Sequence, residues 1–144
     1  MLVYDRFDVW QLFVDGRAAR NLTQGAGRKA GLRLRLQPIE PIEEDNEERG
    51  IDVKKPLVLR GENLNTRATG FYRTTFDGAA PPQQLLAGDK NYRYLGRALD
   101  ANVLLVTGSK FNEFPEIHTT NANFTNIEKV TNVGTQMAAY TWGA

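Results

Sequence analysis

A pattern that occurs three times along the chain constrains its fold more than any other feature. Each copy has a ring-bearing residue in a strand-like run, then a tight turn, then a short run that contains an apolar residue. The ring-bearing residues are Trp10, Tyr72 and His118, and the apolar residues that follow them are Leu22, Leu85 and Val130. The offsets within the three copies are 12, 13 and 12 residues. This regularity indicates similar structural units placed side by side.

The units are predicted to consist of β-strands. Helical periodicity is weak, and short runs rich in Val, Leu, Phe, Tyr and Thr are bounded by Gly, Asn, Asp and Pro, which is typical of strands and turns. A more apolar run precedes each copy, at residues 2–4, 57–59 and 103–106. We predict strands near residues 2–5, 8–14, 32–36, 57–61, 70–76, 93–98, 102–107, 115–120 and 127–131.

Two dipeptides predict how neighbouring strands are joined. Asp15-Gly16 follows Val14, and Asp77-Gly78 follows Phe76. Asp-Gly supplies the positive φ angles that a two-residue hairpin turn requires. Consecutive hairpins of this kind predict antiparallel neighbours.

The distance between copies indicates a particular all-β architecture. It is 46 residues from Tyr72 to His118 and 62 from Trp10 to Tyr72. A period of about 40–50 residues, with three or four short strands per unit, is typical of β-propeller blades. We therefore predict one all-β, antiparallel domain over residues 1–144, a partial propeller of about two and a half blades. The units are placed at about 2–36, 56–87 and 93–131, with an acidic insertion loop at 37–55.

The insertion loop is strongly acidic and follows a basic stretch. Its acidic residues are Glu40, Glu43, Glu44, Asp45, Glu47 and Glu48, and the basic ones before it are Arg28, Lys29, Arg33 and Arg35. Like charges at this density favour a solvated loop. A hairpin could pair the two stretches; the alternative is two separate solvated faces. The alternation of ligands and the central glycine of a calcium-binding loop are missing.

Composition excludes several classes of function. Eighteen basic and seventeen acidic residues leave a net charge of +1, which argues against a dedicated nucleic-acid binder. There is no cysteine, which excludes disulfides, thiolate metal sites and cysteine nucleophiles. No signal peptide and no apolar run of membrane-spanning length is visible. We predict no cofactor, no metal, no nucleic-acid partner and no membrane partner. We also expect both ends of the chain to be cut rather than finished.

Few residues could support catalysis. Ser109 is the only serine and His118 the only histidine. Ser109 lacks the G-x-S-x-G elbow of hydrolases and is predicted to lie in a turn. His118 is predicted to be a packing or partly exposed residue of a strand. Gly25-Ala26-Gly27-Arg28-Lys29 lacks the phosphate-loop pattern and is predicted to be a turn between strands. No catalytic residue is assigned.

The aromatic residues are predicted to lie in the core between units. They are Tyr4, Phe7, Trp10, Phe13, Phe71, Tyr72 and Phe76. Their recurrence at equivalent positions favours packing between sheets over a base-stacking platform.

The sequence resembles the propeller of bacterial serine peptidases of the prolyl oligopeptidase family, most closely the acylaminoacyl and dipeptidyl peptidases. The similar segments are 2–10, 20–23, 27–29, 55–59, 70–72, 88–90, 111–115 and 129–131. They keep their order along almost the whole chain, and 140–143 is similar to the region shortly before the junction with the catalytic domain. The chain departs from the family at His118, where an aromatic residue such as tryptophan is more usual.

The resemblance implies a supporting role for this chain. In that family the propeller precedes an α/β-hydrolase domain, covers the active-site cavity and filters peptide substrates by size. The triad residues of the family match no position here, so the chain itself is expected not to be an enzyme. The implied partners are the remaining blades, the α/β-hydrolase domain of the parent chain and its peptide substrates. A periplasmic or secreted parent protein is implied.

Two other functions are consistent with the residues. One is a stand-alone interaction module that completes its sheets as a homo-oligomer. The other is a propeller of the TolB type, whose blades share similar Asp-x-Trp strands; it predicts further blades and no hydrolase domain.

Overall fold

The computed structural model describes residues 1–40 and 50–140, and these form eleven strands and two short helices. The strands are β1 (Leu2–Tyr4), β2 (Val9–Gln11), β3 (Arg20–Asn21), β4 (Leu32–Leu36), β5 (Leu57–Asn63), β6 (Thr69–Thr74), β7 (Gln83–Leu86), β8 (Asn91–Arg97), β9 (Leu104–Lys110), β10 (Glu113–Thr120) and β11 (Glu128–Lys129). The helices are α1 (Ala26–Ala30) and α2 (Val133–Gln136).

The strands form three antiparallel sheets in chain order. The first sheet is β1-β2-β3, the second is β4-β5-β6-β7 and the third is β8-β9-β10-β11. Each strand pairs with the one that follows it within its sheet. The predicted all-β, antiparallel fold class is confirmed. Neither helix was predicted.

The strand register shows that the sequence repeat is also a repeat of strand pairing. Trp10, Tyr72 and His118 lie on the same strand of their respective sheets, namely β2, β6 and β10. Their partners on the preceding strand are Val3, Leu59 and Val106, and those on the following strand are Asn21, Gln84 and Lys129. Positions in the three sheets can therefore be compared residue by residue.

The structure corrects one boundary of the predicted units. Residues 32–36 were assigned to the first unit, 2–36, but β4 pairs with β5 from Leu32↔Asn63 to Leu36↔Leu59. They are the first strand of the second sheet. Alternation of Leu and Arg along β4 turns its leucines to one face of the sheet, where Leu34 is buried. The acidic segment thus connects β4 to β5, and residues 41–49 of it lie outside the described residues.

The two Asp-Gly dipeptides turn the chain within longer loops than predicted. The β2–β3 and β6–β7 connections span 12–19 and 75–82, so neither is a two-residue hairpin. Gly16 and Gly78 have φ angles of +82° and +59°, where glycine is favoured. The Asp15 and Asp77 carboxylates accept hydrogen bonds from the backbone two residues ahead, at 3.2 and 3.1 Å. These side-chain turns replace the predicted tight turns.

The second sheet lies between the other two, and each of its faces belongs to a separate core. Side chains alternate along a strand, so Leu57 and Leu59 face the first sheet and Val58 faces the third. The core on the first sheet's side contains Val9, Leu22, Leu34, Leu57 and Leu59. The core on the third sheet's side contains Ile39, Val58, Phe71, Leu104, Val106 and Phe124. The Phe71 and Phe124 rings stack with centroids 4.7 Å apart.

Hydrogen bonds from two neighbouring residues of β6 tie the second sheet to both of its neighbours. The Thr74 hydroxyl donates to the Leu22 carbonyl oxygen at 2.7 Å. The Arg73 guanidinium donates in the opposite direction, to the Ala122 carbonyl at 3.0 Å and the Asn123 side-chain oxygen at 2.9 Å. The sheets therefore stack in chain order, with the second fixed on both sides.

Replacing Phe71 with alanine is expected to remove about 3–5 kcal/mol from the free energy of unfolding, because it opens a cavity where the ring is fully buried. Phe111→Ala is the matched control, since that ring is 82% exposed, and should change the stability by less than about 0.5 kcal/mol. Urea unfolding followed by circular dichroism measures both. Equal losses for the two variants would contradict the stacked arrangement.

Candidate functional site

The first sheet contains a polar cluster centred on the carboxylate of Asp8, two residues before the ring-bearing Trp10. The buried Asp8 side chain accepts hydrogen bonds at Oδ1 from the Thr23 hydroxyl, at 2.7 Å, and the Gly27 amide, at 3.0 Å. Its Oδ2 accepts from the Arg28 amide at 3.2 Å. The two amides belong to α1, so Asp8 satisfies N–H groups that a helix start leaves without partners.

The third sheet repeats this cluster with a glutamate. Glu116 occupies the position equivalent to Asp8, two residues before His118. Its carboxylate accepts hydrogen bonds from the Thr131 hydroxyl, from the Val133 amide at 3.1 Å and from the Gly134 amide at 2.8 Å. The Thr131 hydrogen bond, followed by those from the backbone, lowers the pKa of Glu116 to about 2. Here the carboxylate holds the beginning of α2.

The two threonines also complete the strand pairing. The Thr23 and Thr131 hydroxyl oxygens accept hydrogen bonds from the Val9 amide, at 3.2 Å, and the Ile117 amide, at 2.9 Å. We call the two arrangements, Asp8 with Thr23 and Glu116 with Thr131, the carboxylate–threonine latches. Each fixes the chain where it leaves the last strand of a sheet and enters a short helix.

The second sheet has no latch, and the reason is local. Gly70 takes the equivalent position, and a Cβ there would lie 2.6 Å from the Leu86 carbonyl oxygen and 2.7 Å from the Ala87 Cβ. The connection from β7 to β8 spans only 87–90 and has no helix to hold. A carboxylate is therefore present in the two copies in which a helix follows the last strand.

The predicted turn at 25–29 is mostly the helix α1. Gly27 is required there, since an added Cβ would lie 2.8 Å from the Phe7 carbonyl oxygen and 2.9 Å from that of Leu32. The amides of Gly27 and Arg28 already donate hydrogen bonds to Asp8, which agrees with the rejection of a phosphate loop.

The sequence analysis did not predict the latches, although the sequence contains a signal for them. In the first and third copies of the repeat, an acidic residue lies two positions before the ring-bearing residue, and a threonine directly follows the apolar residue.

Ser109 and His118 lie on neighbouring strands but on opposite faces of the third sheet. His118 pairs with Val106, and Ser109 is three residues further along β9, so its side chain points to the other face. Ser109 lies within β9, so its predicted turn is wrong. The His118 Nδ1 atom lies 3.1 Å from the Glu116 carbonyl oxygen, which can only accept; Nδ1 therefore carries the proton. The two side chains cannot act as a dyad.

Two clefts occupy corresponding places on the second and third sheets. One, of about 410 Å³, lies between the third sheet and α2, and the other, of about 260 Å³, lies on the second sheet. Gly108, His118 and Lys129 line the first, and the equivalent residues Gly61, Tyr72 and Gln84 line the second. Several charged groups of the larger cleft have partners: Glu116 belongs to a latch, and Lys90 pairs with Glu113 at 2.5 Å.

Among the described residues no ion pair joins the basic stretch to the acidic insertion, and the aromatic residues lie only partly in the cores. Arg33 pairs with Glu62 at 2.6 Å and lowers the pKa of that carboxyl. Glu40 pairs with Arg97; the other acidic residues of the insertion lie outside the described residues. Phe71 is in a core, and Tyr72 and Phe76 pack against one, whereas the Phe13 ring lies 4.1 Å below the Arg17 guanidinium.

Within residues 1–40 and 50–140, no three His, Cys, Asp or Glu side chains come together as metal ligands. In the same part of the chain no helix has the length and apolar character needed to cross a membrane. A comparison with known proteins finds no family model, no curated protein and no solved structure that matches this chain.

Replacing Thr23 with valine is expected to lower the free energy of unfolding by about 1–3 kcal/mol, because the buried Asp8 carboxylate loses a donor and the Val9 amide loses its acceptor. Thr131→Val, in the more exposed latch of the third sheet, is the matched control and should cost less, since water can replace the lost hydrogen bonds. Chemical denaturation compares the two. A Thr23→Val variant as stable as the wild type would show that the buried latch does not hold the fold.

Proposed function

We propose that this chain is a non-catalytic segment of a β-propeller, about two and a half blades, from a serine peptidase of the prolyl oligopeptidase family. One observation carries the proposal: three consecutive antiparallel sheets, each formed by strands adjacent in the chain, stack face to face in chain order with the same register. Successive blades of a propeller have this relation.

Two of the segments behind the family resemblance support the proposal because they supply residues that hold the sheets together. In the segment 2–10, the Asp5 carboxylate accepts from the Phe7 and Asp8 amides and from the Trp10 indole N–H. The hydrogen bond from the Asp8 amide, followed by that from the Phe7 amide, lowers the pKa of Asp5. The segment 20–23 supplies Leu22 to a core and Thr23 to the buried latch. In these two segments the resemblance falls on structural residues, as expected for a shared fold.

The proposed role is to gate access to a hydrolase domain that is not in this chain. A cavity closed by blades admits flexible peptides and excludes folded proteins, so a propeller selects substrates by size. This role needs rigid, well-packed sheets and no nucleophile.

The coding DNA on both sides of this segment tests the proposal. We expect the reading frame to continue past Ala144 into a G-x-S-x-G elbow with a later aspartate and histidine. A stop codon directly after Ala144 would contradict the proposal and leave the resemblance as common ancestry. A frame that continues into further blades without a hydrolase domain would favour the TolB-type propeller instead.

A further inference from the structure

The cleft between the third sheet and α2 contains a cross-strand pair of side chains that can bind a ligand. His118 on β10 pairs with Lys129 on β11, and directly opposite residues of antiparallel strands share one face of the sheet, with Cβ atoms about 4.5–5.5 Å apart. Both side chains line the cleft. The equivalent pair of the second sheet is Tyr72 and Gln84. The third copy of the repeat thus has an imidazole and an ammonium where the second has a phenol and an amide.

The His118 ring is held so that one of its nitrogens is left for a ligand. The Nδ1 atom donates its proton to the Glu116 carbonyl oxygen at 3.1 Å. In a neutral imidazole the other nitrogen, Nε2, is then a hydrogen-bond acceptor. Gly108 lies beside the ring, and a Cβ there would be 3.6 Å from the His118 Cε1 atom. The missing side chain at Gly108 therefore keeps the cleft open next to the ring.

The pair lies on the face of the third sheet that is turned toward the second sheet. His118 pairs with Val106 as well, so these two side chains share a face, and Val106 belongs to the core between the second and third sheets. A sheet packed against the opposite, outer face would therefore not reach His118. The equivalent cleft of the second sheet, at Tyr72, is open although the chain continues from that sheet into the third.

The carboxylates that line the cleft already have partners, whereas Lys129 has none. Glu116 accepts the three hydrogen bonds of its latch, and Glu113 pairs with Lys90 at 2.5 Å and with Lys110 at 3.6 Å. Among the described residues no carboxylate oxygen lies within 4.0 Å of the Lys129 ammonium. The charge of Glu116 acts on Lys129 from beyond this distance. The exposed ammonium is thus available to an anionic group.

We propose that this cleft binds the C-terminal residue of a peptide. The terminal carboxylate accepts hydrogen bonds from Lys129, the amide N–H of the same residue donates to Nε2 of His118, and its side chain packs against Met137 and Ala138, which also line the cleft. The volume of about 410 Å³ falls within the range of ligand sites, about 300–1,000 Å³, whereas the 260 Å³ of the second cleft falls below it. The inference does not rest on the proposed peptidase role.

Nuclear magnetic resonance of the ring nitrogens tests the site, because the chain has one histidine and its signals need no further assignment. Titration with the peptide N-acetyl-Ala-Ala-Leu, which has a free carboxylate, should shift the Nε2 signal of His118 to a plateau. The same peptide with a C-terminal amide should bind at least about tenfold more weakly, because it has no charge for Lys129. An unchanged Nε2 signal, or equal binding of the two peptides, would overturn the proposal.

Substitutions in the cleft test the two contacts separately by isothermal titration calorimetry with the free-carboxylate peptide. Lys129→Gln, which introduces the residue of the second sheet, should weaken binding at least about tenfold, and His118→Phe about threefold or more. Lys55→Gln is the matched control, because this exposed lysine does not line the cleft, and should leave the affinity unchanged. Circular dichroism verifies that each variant keeps its sheets. A Lys129→Gln variant with wild-type affinity, or a control that loses binding, would contradict the assignment.

Discussion

Burial of the second sheet on both faces is the constraint on which the rest of the structure depends. Leu59 and Phe71 are fully buried on neighbouring strands of this sheet, one against the first sheet and the other against the third. A sheet that is apolar on both sides is stable in water only between two other layers. The first and third sheets supply these layers, and Thr74 and Arg73 fix them with hydrogen bonds in opposite directions.

The latches determine how the chain passes beyond a sheet. Asp8 holds α1 over the end of the first sheet, and α1 leads directly into β4 of the second. Glu116 holds α2 at the equivalent point of the third sheet. Between the second and third sheets the connection is short, and Gly70 allows Ala87 to pack closely in place of a latch. The same structural unit is thus followed by two kinds of connection: a helix where a carboxylate lies two residues before the ring-bearing residue, and a short loop where Gly70 does.

Much of the fold could be predicted from the sequence because each copy of the sequence repeat forms the same pattern of paired strands. The alignment of Trp10, Tyr72 and His118 predicted equivalent register positions, and the structure places all three opposite an apolar residue of the preceding strand. The sequence could not predict which sheet β4 joins, because a strand of alternating Leu and Arg could form the edge of either the first or the second sheet. The helix α1 was missed because its glycine-containing sequence favours a turn. A carboxylate 19 residues earlier, Asp8, stabilises it through tertiary contact.

The most direct test of this account is amide hydrogen exchange, measured residue by residue on the wild-type chain. If the stack is held by its middle layer, the amides of β5 and β6 should exchange most slowly, and those of β1, β2, β9 and β10 faster, since each outer sheet is covered on one face. Protection in the first or third sheet equal to that of β5 and β6 would contradict the central role of the second sheet.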